Sequence, residues 1–344
     1  MTLVAWTQRS ATTYVLYLLW CYWNRLWYAK RLREQGFEDG KLMLKAGLKR
    51  CADLRLAPAL ARPLPPFRYV CLAGGGFKAI AYAGYTHYLA EHGLVDASTH
   101  WMGTSLGGVY AVLMAASKGL GIQDPAVGVF AAGMLQYCID VRRRWFSMFG
   151  QFGNALAAVF WSACDSHPHL AAAMTVKPSS DRHSSRDTTT SEKQAHKLSG
   201  NVTLGLTRMP SPVELFRGVR PHQVTVSLFN GPSDVLAALI ATTFIPLWTT
   251  QEIATGFRGE GSGTLDGGLT DPQATPQPGP KQLSEAGGPG YKLLARRHGL
   301  TGLRFMWRIF VPPSEDAMVE EIVVGYKQAH ADVCAALALR NDNY

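Results

Sequence analysis

The chain is short of several things, and each shortage narrows what it can be. Of its 344 residues only six are cysteine (Cys21, Cys51, Cys71, Cys138, Cys164 and Cys334), and no two fall in a C-x-x-C pair. That spacing argues against a zinc ribbon and a dense disulfide framework, and favours a reducing compartment. Charged residues make up only 17% of the chain, against 47% hydrophobic. This balance fits a large apolar core with an unusually apolar surface or a membrane-facing part. The aromatic run from Tyr14 to Trp23 stops at ten residues, well short of the roughly 20 that a spanning helix needs. The P-loop spacing is absent, and no acidic loop of the calcium-binding kind occurs.

Acidic residues are scarce in one region above all. Residues 1–68 hold twelve Lys or Arg against four Asp or Glu, so nearly all of the net charge of +9 lies there. A basic arm on a nearly neutral body asks for an anionic partner, nucleic acid or anionic lipid. The arm's composition favours lipid. "YVLYLLWCYWNRLWYAKRLR" carries Trp20, Trp23 and Trp27, residue types that settle at the membrane–water boundary. Asn24 and Arg25 interrupt the apolar run, and Lys30, Arg31 and Arg33 close it. The pattern predicts an interfacial helix; a helix buried against the core is the bland alternative. A signal peptide fits less well, because the charge lies mostly after the apolar run and no A-x-A site follows it cleanly. A second helix is expected next, with Lys41, Lys45 and Lys49 on one face and Met43, Leu44, Leu48, Cys51 and Leu54 on the other. "LAPALARPLPPF" reads as a linker. Residues 1–66 are thus a membrane-associating segment with its linker. Residues 67–344 form the main domain, with flexible insertions near 176–200 and 272–292.

The main domain begins with strand, Gly loop and helix in "RYVCLAGGGFKAIAYAGYTHYLAEHGL", stopped by Gly93. A short strand in "STHWM", the turn "MGTSLGG" and a helix in "GGVYAVLMAASKG" follow. This order predicts a parallel α/β sheet with helices on its faces. Residues 126–174 read as mostly helical, "NVTLGLTRM" and "HQVTVSLFN" as strands, "SDVLAALIATTFIPLW" as a helix capped by Ser233 or Asp234, "LRFMWRIFVPP" as a late strand, and "EDAMVEEIVVGYKQAHADVCAALALR" as a closing helix.

Three short stretches carry chemistry. The first is G-x-S-x-G at Gly103–Gly107, between strand and helix. That context puts Ser105 on a sharp turn with its hydroxyl exposed and a helix N-terminus behind it. The second is the triple-Gly loop, where Gly75 and Gly76 precede a helix and can present bare amides to a developing oxyanion. The third is "LDGGL", where Asp266 ends a short apolar stretch. A serine needs a base. Asp266 can meet Ser105 directly, or a Ser–His–Asp triad can use His298 or His330; a plain D-G hairpin turn is the bland reading of Asp266. "DSHPH" at 165–169 suits a turn better than a metal site, since no partner cluster follows.

Together and in order, "GGGFKA", "GTSLGG" and "DGG" resemble the patatin-like phospholipase family, whose Gly loop has the form G-G-G-x-[K/R]-G. "LIATTFIPLW" is similar to the family's helix that ends in a proline before the Asp region. The likeness covers roughly residues 67–275 and, more weakly, the closing strand and helix. It implies a three-layer α/β/α fold with a mainly parallel central sheet, and a Ser–Asp dyad with no histidine. Ser105 would attack the acyl carbonyl, Asp266 would move its proton, and Gly74, Gly75 and Gly76 would form the oxyanion site, with Lys78 in a possible supporting place. Ala79 stands where the family has Gly, and its methyl would crowd the loop. The implied activity is a serine lipid acyl hydrolase acting on carboxylic esters of phospholipids or neutral lipids at a membrane surface, with no cofactor and no metal. A non-catalytic lipid-surface scaffold is the second reading and a Ser–His–Asp esterase the third. The expected partners are lipid substrate and membrane, not nucleic acid, with the protein membrane-associated from the cytoplasmic side.

Overall fold

Strand, Gly loop, helix, strand, turn and helix form in the order the sequence predicts. The computed structural model describes residues 3–56, 66–144, 150–175, 198, 201–245, 249, 257–258, 263–267, 292–295 and 311–341. The helices are α1 Leu3–Gln35, α2 Glu38–Ala52, α3 Ala81–Glu91, α4 Ser105–Ala116, α5 Pro125–Arg143, α6 Phe152–Ser166, α7 Pro168–Met174, α8 Pro212–Phe216, α9 Pro232–Thr242 and α10 Glu315–Asn341. The strands are β1 Tyr69–Leu72, β2 His100–Thr104, β3 Val202–Arg208, β4 His222–Val226, β5 Thr264–Asp266 and β6 Lys292–Ala295. They form one sheet in the order β4-β3-β2-β1-β6, with β5 also paired to β3. The pairs β6–β1, β1–β2 and β2–β3 are parallel; β4 and β5 run antiparallel to β3.

Successive residues of β1 and β2 are buried, Val70, Cys71 and Leu72 in one and Trp101 and Met102 in the other. Because neighbours on a strand face opposite ways, both faces of the sheet are covered, as in parallel sheets generally. The fold is therefore three-layered α/β/α around a mainly parallel sheet. Helix α10 packs on α3 at two glycines: a Cβ at Gly84 would stand 1.8 Å from the Ile322 carbonyl oxygen, and one at Gly325 the same distance from that of Ala81. Helix α2 presses on α5 in the same way through Gly40. Its outward face carries Lys41, Lys45 and Lys49, while Met43, Leu44 and Cys51 are buried, as the wheel predicts.

Three expectations need correction. The helix expected directly after the Gly loop begins as a short 3-10 turn, Gly76–Ile80, and becomes α only at Ala81. Neither Ser233 nor Asp234 caps α9. Gly231 does, at φ 141°, and the Asp234 carboxylate accepts the Asn230 N–H and pairs with Arg258. A strand forms at 292–295, where the sequence reads as the flank of an insertion. The insertion at 176–200 (apart from Leu198), the one at 272–291, most of the linker and nearly all of the predicted late strand at 303–313 lie outside the described residues.

Candidate active site

Sheet register brings the serine and the aspartate together. Strand β2 ends at Thr104, opposite Gly205 of β3. The next residue of β3, Leu206, is paired with Asp266 of β5. Strand β4 already holds the far side of that part of β3, so β5 lies on the β2 side. It begins where β2 gives way to the turn, and Asp266 stands beside the turn residue. Ser105 Oγ donates to Asp266 Oδ2 at 2.6 Å, and both residues are buried.

The turn is as tight as the motif requires. Ser105 has φ 52°, in the left-handed region that costs a non-glycine residue on the order of 1–3 kcal/mol. Its neighbours must lack side chains. A Cβ at Gly103 would meet the Gly107 carbonyl oxygen at 2.5 Å, and one at Gly107 would meet that of Leu72 at 2.3 Å. Gly267 is confined likewise, since a Cβ there would stand 2.0 Å from the Gly205 oxygen. That explains the glycine directly after the aspartate.

Three buried threonines fix the parts by side chain-to-backbone bonds. Thr242 Oγ1 accepts the Ser105 N–H at 3.0 Å and donates to the Gly205 carbonyl at 2.6 Å. Thr207 Oγ1 donates to the Asp266 carbonyl at 2.8 Å. Thr104 Oγ1 accepts the Gly74 N–H at 3.0 Å. The Asp266 N–H is held by the Phe244 carbonyl at 2.8 Å. Sequence reasoning missed these threonines. The one available signal was the Thr242–Thr243 pair at the end of the helix before Pro246.

The Ser105–Asp266 pair opens into a cavity of about 450 Å³, its mouth included, lined by Gly76, Phe77, Ser105, Leu106, Tyr137, Phe152, Thr243, Ile245, Thr249 and Asp266. None of these is Lys, Arg or His, so among the described residues the walls are apolar apart from Ser105, Asp266, two threonines and a phenol. Tyr137 stacks on Phe77 and meets Phe152 edge-on. Burial raises its phenol well above the usual tyrosine value, so it stays neutral.

The Gly loop borders this space, and its three residues differ. The Gly74 N–H is spent on Thr104, so Gly74 ties the loop to the end of β2. Gly76, at φ 54°, lines the cavity and opens the 3-10 turn next to Gly75. Lys78 sits within that turn and is not part of the lining. Ala79 is buried.

Other expected residues go elsewhere. His330 Nδ1 is 2.9 Å from the Tyr88 hydroxyl, in the α3–α10 contact, and its Nε2 is 3.7 Å from Cys334 Sγ. The structure does not bring it to Ser105, and His298 lies outside the described residues. His169 of "DSHPH" pairs with Asp124, the N-cap of α5, at 3.0 Å. Among the described residues no group of three or more His, Cys, Asp or Glu is placed to hold a metal ion.

No protein-family model and no curated protein matches the chain. Among solved structures it is similar to VipD from Legionella pneumophila, at 9% identity and a TM-score of 0.36, over 84% of this chain and 73% of that one. It is also similar to a chain of the complex of full-length SpcU with full-length ExoU, from the type III secretion system of Pseudomonas aeruginosa. There the identity is 15% and the TM-score 0.33, over 79% of this chain and 53% of that one. Likenesses this distant assign neither family nor activity, and what the site does has to be argued from its own geometry.

Proposed function

We propose that the protein is a serine lipid acyl hydrolase that cleaves carboxylic esters of phospholipids or neutral lipids through a Ser105–Asp266 dyad. The observation that carries this reading is the 2.6 Å bond from Ser105 Oγ to Asp266 Oδ2 at the wall of an apolar cavity. A hydroxyl is a weak nucleophile until a neighbour takes its proton, and Asp266 is already in contact with that proton. Ser105 Oγ attacks the acyl carbonyl as Asp266 accepts the proton. The ester C–O bond breaks, the proton passes to the leaving alcohol, and the acyl group stays on Ser105. Water, deprotonated by Asp266, then attacks the acyl-serine; the bond from the acyl carbon to Ser105 Oγ breaks, the proton on Asp266 returns to Oγ, and the fatty acid leaves.

The tetrahedral oxyanion needs donors fixed in advance. The Gly75 and Gly76 amides, at the head of the 3-10 turn, are the proposed donors, with the N-terminus of α4 adding a favourable dipole. Gly74 then serves to hold the loop. The walls made by Phe77, Leu106, Tyr137, Phe152 and Ile245 suit an acyl chain. The resemblance of the three motifs to patatin-like phospholipases points to the same chemistry. The catalytic reading is favoured over a scaffold because the hydroxyl and the carboxylate are already in contact.

The test is ester turnover on mixed phospholipid and neutral-lipid vesicles and on a soluble short-chain ester, for wild type, Ser105→Ala, Asp266→Asn and His330→Ala. The first two substitutions should each lower kcat by at least about 10³-fold, with the melting temperature unchanged. His330→Ala should leave kcat intact, and a loss there would revive the triad. A wild type inert on every ester would leave the scaffold reading.

A further inference from the structure

Helix α1 has two halves that meet different surroundings. Its C-terminal part is rooted in the body. Tyr28 is buried and meets Tyr137 edge-on, with ring centroids 6.4 Å apart. Arg31 forms an ion pair with the buried Asp140 of α5, and the Arg144 guanidinium lies 4.4 Å from the centre of the Trp27 ring. Before Trp27 one side of the helix is uncovered, while Tyr17 and Leu18 stay half-buried. Tyr14, Val15, Leu16, Leu19, Trp20, Tyr22, Trp23 and Leu26 are exposed, Trp23 to 71%.

These side chains form one broad face. At 100° per residue seven of the eight, all but Tyr14, fall within an arc of about 160° on the side away from the buried Tyr28 and Leu32. Asn24 and Arg25 fall outside that arc, so the segment is amphipathic, with a wide apolar face of aromatic and leucine side chains of the kind that lies in the plane of a membrane interface. The run is also too short to cross a bilayer, and no described helix is long and apolar enough to do so. The residue types are those of the interfacial layer. The excess of Lys and Arg over Asp and Glu in residues 1–68, with Lys30, Lys45 and Lys49 exposed, is complementary to anionic headgroups.

We infer that residues 14–26 of α1 are a membrane-docking element that enters the interfacial layer of an anionic phospholipid bilayer. Its root ends on the wall of the acyl cavity, because Tyr137, which Tyr28 touches, lines that cavity. Docking through this element tethers the cavity to the surface that holds the lipid. The docking itself does not depend on the hydrolase reading; only its effect on turnover rests on it.

Binding is therefore read without turnover, on full-length Ser105→Ala. The probes are vesicles of phosphatidylcholine mixed with phosphatidylserine, and of phosphatidylcholine alone. The protein should float with the anionic vesicles, less in high salt, and less with phosphatidylcholine alone. Adding Leu19→Gln, Tyr22→Gln and Trp23→Gln together, which keeps good helix formers, should weaken binding by roughly tenfold or more. The same triple change in the Ser105 background should lower turnover on vesicle lipid and spare the soluble ester. The docking inference fails if Ser105→Ala floats with neither vesicle, or if the triple variant floats equally well. It also fails if the segment instead drives self-association, read by sedimentation. Flotation with no turnover on any ester would sink the hydrolase reading and leave docking intact.

Discussion

The surroundings of Ser105 and the root of α1 both hold a part in place, with different materials. Around Ser105 the fixings are glycines pressed on backbone oxygens and threonine hydroxyls bonded to backbone groups. At the root they are a carboxylate–guanidinium pair, a cation over an indole and an edge-on pair of phenols. Short fixings have few rotamers and do not titrate near neutral pH, so they hold the Ser105 hydroxyl rigidly. Long charged side chains reach further and give more, and their strength depends on protonation.

The rigid half is broken most severely by adding one carbon. Gly107→Ala would place a Cβ 2.3 Å from the Leu72 oxygen and 2.5 Å from that of Ala73, both backbone atoms. The helix must shift, at a cost of about 1–3 kcal/mol or more, and Ser105, two residues earlier, shifts with it. Turnover should fall to background with a lower urea midpoint. Gly128→Ala in α5 is the control, since its Cβ would meet only the Ile122 oxygen at an ordinary 3.6 Å. It should be neutral or slightly stabilising.

A smaller loss comes from removing one hydroxyl. Thr242→Val keeps the volume but leaves the buried Ser105 N–H without its acceptor, worth about 1–3 kcal/mol. If that energy holds Ser105 in its left-handed conformation, kcat should fall roughly ten- to a hundredfold, with KM for a soluble ester unchanged. Thr242→Ser should restore it. A general loss of stability would move both variants together and would not be rescued by the hydroxyl.

The rigid half was also the more legible in the sequence. Ser105 and Asp266 lie 161 residues apart and touch, yet both stand out because the chemistry demands fixed residue types next to glycine. Thr242 carries no such mark, since threonines are common near helix ends and its partner is a backbone group. Tyr137 could not be placed on a wall, because α5 is buried on nearly every side and its periodicity points to no one face. Strand β6 was hidden for another reason. Its four residues follow "EAGGPG", and only the long-range pairing of Tyr69–Leu72 with Lys292–Ala295 makes them a strand. At the root, the wheel gave the buried face of α2, but nothing local in Arg31 or Asp140 showed that they would pair across 109 residues.

That pair supplies the mildest way to separate the two halves. Burial raises the Asp140 carboxyl from its ordinary 3.8 to about 6, against the opposing pull of Arg31 and a hydrogen bond from Gln136. Between those two values the folded chain keeps a proton that the unfolded chain has released. Stability therefore falls as pH rises from about 4 to about 6, by up to about 1.4 kcal/mol per pH unit, and this contribution is flat above. In Asp140→Asn that part of the slope should vanish, read as the denaturation midpoint against pH beside wild type. The threonine fixings have no group that titrates in this window, so Thr242→Val should lower the whole profile and keep its shape. A Thr242→Val profile that lost the slope, or an Asp140→Asn profile that kept it, would erase the distinction between the two kinds of fixing.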